Sequence, residues 1–231
     1  DGRKYHFGVQ PTPIKPLPPD YHSMVGATLL REEWTVWQHM PDNIDMLLVW
    51  PTYDQIMRGL NDPHNLDYDR MKAAVDYAHE RGVAIMQVAL CPQKVSLYSE
   101  EFKEYAEEWK CKPESILIWK ELDGTEMPHY QNCAGSESLR KWEFTGYTEN
   151  VRKFNLDGIY FDGWLGGQMA CHNEKHGCGW IDDDGNRRVT VPVLEGREFF
   201  KRLAMWLEDN VDSPYVSPKS APEREGFPRY R

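Results

Sequence analysis

Apolar residues along the chain gather into short continuous runs separated by stretches of helical spacing. Residues 5–10, 45–50, 83–90 and 156–161 are runs of strand length, and Met46-Leu47-Leu48-Val49-Trp50 is apolar at every position. Unbroken runs of this kind suit strands buried on both faces of a sheet. The prolines from Pro11 to Pro19 stop the first run and Pro51 stops the second, because proline cannot donate to a ladder. Between 69 and 81, Met71, Ala74, Val75 and Ala78 recur at helical spacing, and Gly82 supplies the stop. Further helices are predicted over 100–109, 137–154 and 195–207, the last with Phe199, Phe200, Leu203 and Leu207 on one side.

Alternation of helix and apolar strand, with few hairpin signals, indicates a parallel sheet built from βα units. The fold class expected is therefore α/β, of the (β/α)8 TIM-barrel type. About four units are legible where a closed barrel needs eight, so the expectation is an incomplete barrel over residues 1–211. Residues 212–231 are then a loop leading to the missing remainder, and 115–119 an extra strand in an insertion. On this reading one partner of the chain is the rest of its own barrel.

Composition narrows the function. Of 231 residues, 40% are hydrophobic, enough for an ordinary core, and the net charge of −10 repels nucleic acid and anionic membrane surfaces. No apolar run approaches the roughly 18 residues of a membrane span, so no membrane insertion is expected. The start, Asp1-Gly2-Arg3-Lys4, reads as no signal peptide and suggests a piece of a longer protein. Nine Trp and twelve Tyr either fill a large core or provide surfaces that stack on flat ligands such as sugar rings.

Active sites of parallel α/β folds lie in the loops past the strand carboxyl ends. That rule selects Lys15 after the first strand, Trp50 and Tyr53 after the second, and Asp162 and Trp164 after the fourth. Asp162 follows an apolar strand and precedes Gly163, a position from which a carboxylate could act as nucleophile or charge stabiliser in glycoside hydrolysis. The competing reading is a hairpin turn at Asp162-Gly163, but no convincing return strand follows Leu165.

The loop Cys171-His172-Asn173-Glu174-Lys175-His176-Gly177-Cys178-Gly179-Trp180 concentrates thiols and imidazoles. Its spacing matches none of the common paired zinc-ligand patterns, so a disulfide or structural thiol pair between Cys171 and Cys178 is favoured and no metal is assigned. Asn173 and His176 are then candidates to hydrogen-bond sugar hydroxyls, with Trp164 and Trp180 as an apolar platform. Arg197, at the start of the last helix, is a candidate contact for substrate. Asp182-Asp183-Asp184-Gly185-Asn186 lacks the ligand spacing of a calcium loop and reads as a solvated turn.

Together, Gln10-Pro11-Thr12-Pro13-Ile14-Lys15-Pro16, the segment Asp157-Gly158-Ile159-Tyr160-Phe161-Asp162-Gly163, the Cys171-to-Trp180 loop and the run from Val191 to Leu203 resemble a family of glycoside-hydrolase-like barrels, domain of unknown function 6067. That family looks related to barrel glycosidases acting on N-acetylhexosamine glycans. The resemblance implies secretion or periplasmic placement, an oligosaccharide or polysaccharide substrate, and an acid at the end of the fourth strand, which here is Asp162. The expected function is hydrolysis of O-glycosidic bonds in a complex glycan, without a cofactor. Two alternatives stay open: a non-catalytic glycan-binding barrel, and a metal-dependent barrel hydrolase using Cys171, His172, His176 and Cys178.

Overall fold

The computed structural model describes residues 26–29, 44–49, 68–90, 94–97, 99–120, 126–162, 170–212 and 215–218. In chain order its elements begin with β1 (Gly26–Leu29), β2 (Met46–Val49), α1 (Tyr68–Glu80), β3 (Ala84–Leu90), β4 (Lys94–Ser96), α2 (Glu100–Trp109), β5 (Ile116–Lys120) and β6 (Glu126–Gln131). They continue with α3 (Glu137–Phe154), β7 (Gly158–Asp162), a 3-10 turn (Glu174–His176), β8 (Trp180–Ile181), β9 (Arg187–Arg188), α4 (Val193–Asn210) and β10 (Tyr215–Pro218).

Among the described residues the main sheet has five strands in the order β1, β2, β3, β7, β10, and every neighbouring pair is parallel. Strands that follow one another both in the sheet and along the chain, with α1, α3 and α4 in the later crossovers, form the repeating unit of a barrel wall. The strands expected over 45–50, 83–90 and 156–161 are β2, β3 and β7. The run at 5–10 lies outside the described residues, and the edge strand is β1. Tyr215–Pro218 corrects the reading of residues after 212 as loop alone: it pairs with Gly158–Phe161 as the fifth strand. Four residues ending in proline carry too little apolar pattern to announce a strand.

Local chemistry sets the helix ends. The Ser99 hydroxyl accepts from the Phe102 N–H to cap α2, and Ser136 does the same for Leu139 at the start of α3. Gly82, at φ 69°, turns the chain out of α1. Asn155, at φ 56°, ends α3 in the left-handed conformation that asparagine tolerates. Asp157 then fixes the entry to β7: its carboxylate accepts from the Ile85 N–H at 2.7 Å and lies 2.9 Å from His79 Nε2.

The core lies between the sheet and its helices. Ile85, Ala89, Ile159 and Phe161 from the strands meet Ala74 and Ala78 of α1, Tyr147 and Val151 of α3, and Phe199, Leu203 and Leu207 of α4. Phe161 stands edge-on to Tyr147 and Phe200, with ring centroids 5.1 and 4.9 Å apart, the geometry that the ring quadrupole favours.

Between β3 and α3 the chain makes an excursion of its own. β4, β6 and β5 form an antiparallel sheet in that order, and Val95, Phe102, Trp109 and Leu139 make a small separate core. The expected extra strand at 115–119 is β5. β6 was hidden by Pro128, which argues against a central strand. The Pro128 carbonyl accepts from the Leu97 N–H, so its missing donor faces the end of β4 and β5 loses no ladder bond.

Candidate functional site

Two long insertions leave the main sheet from the same end. The first follows Leu90, the last residue of β3, and holds β4, α2, β5 and β6; the second follows Asp162, the last residue of β7, and runs to α4. Leu90 and Asp162 are register partners, so both insertions start side by side at the carboxyl ends of the strands, where barrel active sites are built.

The second insertion docks on the first through backbone groups. The His172 N–H donates to the Lys112 carbonyl at 2.8 Å. The Asn173 side-chain amide donates to the carbonyls of Glu107 and Lys110, at 3.0 and 2.9 Å, and its oxygen accepts from the Lys175 N–H. Cys171 and Thr190 exchange a pair of backbone bonds that close the loop at its base. Beyond it, β8 and β9 form a small hairpin whose turn is held by Asp182, which accepts from the N–H groups of Asp184 and Asn186 and from Arg188 Nε.

Where the insertions meet, four cysteines form a buried cluster: Cys111 and Cys133 from the first, Cys171 and Cys178 from the second. All four are free thiols. Cys133 Sγ lies 3.6 Å from Cys178 Sγ, and Cys171 Sγ lies 3.3 Å from His176 Nε2. The donor atoms of Cys133, Cys171, His176 and Cys178 all fall within 4.8 Å of one another, a set able to hold one metal ion. The His176 ring is oriented from behind, its Nδ1 donating to the Glu108 carbonyl at 2.6 Å, which leaves Nε2 facing the sulfurs. Backbone N–H groups of Gly135, Asn173 and Lys112 point at sulfur, the first to Cys133 and the others to Cys171, at 3.3 to 3.4 Å.

The electrostatics of the cluster are polarised. Hydrogen bonds from Cys111, Cys133 and Cys178 hold the Cys171 thiol far below the ordinary cysteine range. Bonding to Cys111 pushes Cys133 up, bonding to Cys133 pushes Cys178 up, and burial adds to both. His176 is lowered by burial, but its bonds to Cys171, Cys178 and the Glu108 carbonyl outweigh this and raise it to about 10.

This arrangement corrects several sequence expectations. Cys171 and Cys178 are no isolated pair, since Cys133 is drawn in from another element. Asn173 is 1% exposed, and its amide is consumed in joining the two insertions, so it has no free group for a sugar hydroxyl. His176 faces the thiols rather than a ligand groove. The argument from spacing against a metal fails because the donor set is not local: Cys133 belongs to the β6–α3 connection. The count of four cysteines in two widely separated pairs, Cys111 with Cys133 and Cys171 with Cys178, is the signal that could have found it. Trp180, on β8, is 53% exposed, and Arg197 is exposed in the second turn of α4. Asp162 is placed by its backbone as the last residue of β7. Lys15, Trp50, Tyr53 and Trp164 lie outside the described residues.

No protein-family model matches the chain, and no curated protein does. Solved structures do. A xylosidase from Aspergillus niger is similar at 12% identity and TM-score 0.55, over 88% of this chain and 32% of the other. A trehalose-6-phosphate hydrolase from Bacillus licheniformis matches at 11% identity and TM-score 0.53, over 85% and 44%. A cycloisomaltooligosaccharide glucanotransferase from Paenibacillus sp. matches at 14% identity and TM-score 0.50, over 76% and 26%. The chain thus spans less than half the length of each. What it shares with them is the fold alone, the parallel strands and helices of a (β/α) barrel.

Proposed function

We propose that this chain forms part of the catalytic barrel of a glycoside hydrolase that cleaves O-glycosidic bonds in a complex glycan, with Asp162 as nucleophile or charge stabiliser. The observation that carries this reading is the position of Asp162: it closes β7, the fourth strand of the main sheet, at the end from which both insertions emerge. A carboxylate there meets a substrate lying across the strand ends. Glycoside hydrolysis needs two carboxylates and no cofactor, and the second comes from a later strand of the barrel. β1 and β10 pair on one side only among the described residues, which suits a sheet completed by further strands.

Trp180 offers an exposed indole on the second insertion, suited to stacking on a sugar face. Lys15, Trp50, Tyr53, Trp164 and Arg197 are the further candidate substrate contacts. The family resemblance adds a glycan containing N-acetylhexosamine and a secreted or periplasmic location. No helix among the described residues is long and apolar enough to cross a membrane.

The test is a screen of the whole protein against aryl glycosides of different sugars and both anomeric configurations, N-acetylhexosaminides included, alongside binding to the matching free oligosaccharides. Turnover of at least one class supports the reading. Binding with no turnover of any class would indicate a glycan-binding barrel instead.

A further inference from the structure

We infer that Cys133, Cys171, His176 and Cys178 form a structural zinc site that locks the two insertions together over the carboxyl ends of β3 and β7. Two of the donor pairs stand at the separations of one tetrahedral ion, and all four donors lie within 4.8 Å of one another. With zinc–sulfur bonds of about 2.3 Å and zinc–nitrogen bonds of about 2.0 Å, two ligand sulfurs stand about 3.8 Å apart, and a sulfur and a nitrogen about 3.5 Å. Cys133 and Cys178 are 3.6 Å apart, and Cys171 Sγ and His176 Nε2 3.3 Å. An iron–sulfur cluster would spread its cysteines around several irons rather than gather them at one centre.

A second set of observations points to the same ligand. Ligating histidines commonly donate their other ring nitrogen to a carbonyl or carboxylate, which fixes the tautomer. His176 Nδ1 does so to Glu108. Thiolates on a metal need donors around them, and three backbone N–H groups are aimed at Cys133 and Cys171. Gly135 keeps the centre open: a Cβ there would stand 2.8 Å from Cys178 Sγ and 3.1 Å from the His176 ring.

The donor chemistry decides the role. Three thiolates and an imidazole fill all four positions of zinc, whereas catalytic zinc keeps one position for water. Cys133 and Cys171 are fully buried and His176 is half-buried, so the closed set of four ligands, rather than burial alone, keeps substrate off the ion. A metal-dependent hydrolase built on Cys171, His172, His176 and Cys178 is therefore disfavoured, and the ion is a cross-link. Binding requires three thiolates and a neutral imidazole, so the thiol protons and any proton on His176 Nε2 leave to solvent, and the centre carries net charge −1. Cys111, the fourth thiol of the cluster, bonds to Cys133 and Cys171 but falls outside the set of donors that all lie within 4.8 Å of one another. The site stands whether or not Asp162 is catalytic.

The experiment is elemental analysis of the whole protein purified without added metal, with cobalt(II) exchange on the same sample. The expected result is about one zinc per chain, and a cobalt form with tetrahedral d–d bands and thiolate charge-transfer absorption. Cys133→Ser and His176→Ala lose the metal, His176→Cys keeps it with a shifted cobalt spectrum, and Cys111→Ser keeps it unchanged. After chelation and denaturation all five cysteines alkylate. Iron in place of zinc, a disulfide within the cluster, or metal-free protein with an octahedral cobalt spectrum would overturn the site. So would loss of zinc in Cys111→Ser together with its retention in His176→Ala. The cobalt spectrum of the unmodified protein decides the matter if a variant fails to fold.

Discussion

Cys133 Sγ and Cys178 Sγ approach to 3.6 Å although 45 residues separate them along the chain. One belongs to the insertion after β3, the other to the insertion after β7. Their contact joins the two insertions, and it has a consequence for stability. Removing the metal with a strong chelator should separate the insertions while leaving the main sheet folded. The expected loss is on the order of 3 kcal/mol, or roughly 10 °C in melting temperature, with the thiols becoming reactive to alkylating reagents. Calorimetry and thiol titration before and after chelation check this, and unchanged melting would contradict it.

Gly135 and Gly177 separate crowding from backbone strain. Gly135→Ala places a methyl 2.8 Å from Cys178 Sγ and 3.3 Å from Cys133 Sγ, and should cost about 1–3 kcal/mol together with loss of bound metal. Gly177, at φ 76°, has open space around a Cβ, so Gly177→Ala should cost only about 1–2 kcal/mol of left-handed strain and keep the metal. Metal content distinguishes the two variants where melting temperature alone would not.

Much of this could be read from sequence and some could not, for physical reasons. The described side chains of β3 and β7 are almost all buried, so their runs, broken only by Gln87 and closed by Asp162, stand out as apolar. α2 and α3 match the helices expected over 100–109 and 137–154, and their Ser99 and Ser136 caps fix where they start. β1 and β10 have four residues each, as β2 does, but Gly26-Ala27-Thr28-Leu29 and Tyr215-Val216-Ser217-Pro218 lack its continuous apolar run. β4 and β6 belong to a small sheet with a proline inside it, where alternation is lost. The thiol centre was invisible to a search by spacing because its ligands are assembled by tertiary structure. Asn173, a polar residue in a loop, looked like a ligand contact, but its side chain serves backbone carbonyls in another element, which only the docking of the insertions could show.

Glu143 carries a pH dependence. It is 2% exposed on α3, and its Oε1 has no hydrogen-bond partner among the described residues. Burial raises its carboxyl well above the ordinary value of 4.5, with Arg140 opposing more weakly. The unfolded chain releases this proton near the ordinary value while the folded chain retains it, so stability falls as pH rises above that point, until the folded group also ionises. Glu143→Gln should remove this part of the slope and raise stability at pH 7 to 8 by about 1–3 kcal/mol. Denaturation of both proteins between pH 4 and 8 measures it, and parallel curves would refute the assignment.

The central claim concerns which acid on β7 acts on substrate, and Asp157 supplies the control. Asp157 sits at the opposite end of the strand, bound to the Ile85 N–H and His79, so Asp157→Asn should cost about 1–3 kcal/mol of stability and leave turnover intact. The most direct measurement is the hydrolysis rate of the whole protein carrying Asp162→Asn beside Asp157→Asn, with oligosaccharide affinity determined in parallel. The account predicts that Asp162→Asn loses ~10³-fold in turnover with sugar binding retained, while Asp157→Asn hydrolyses at the unmodified rate. Unchanged turnover in Asp162→Asn would contradict it.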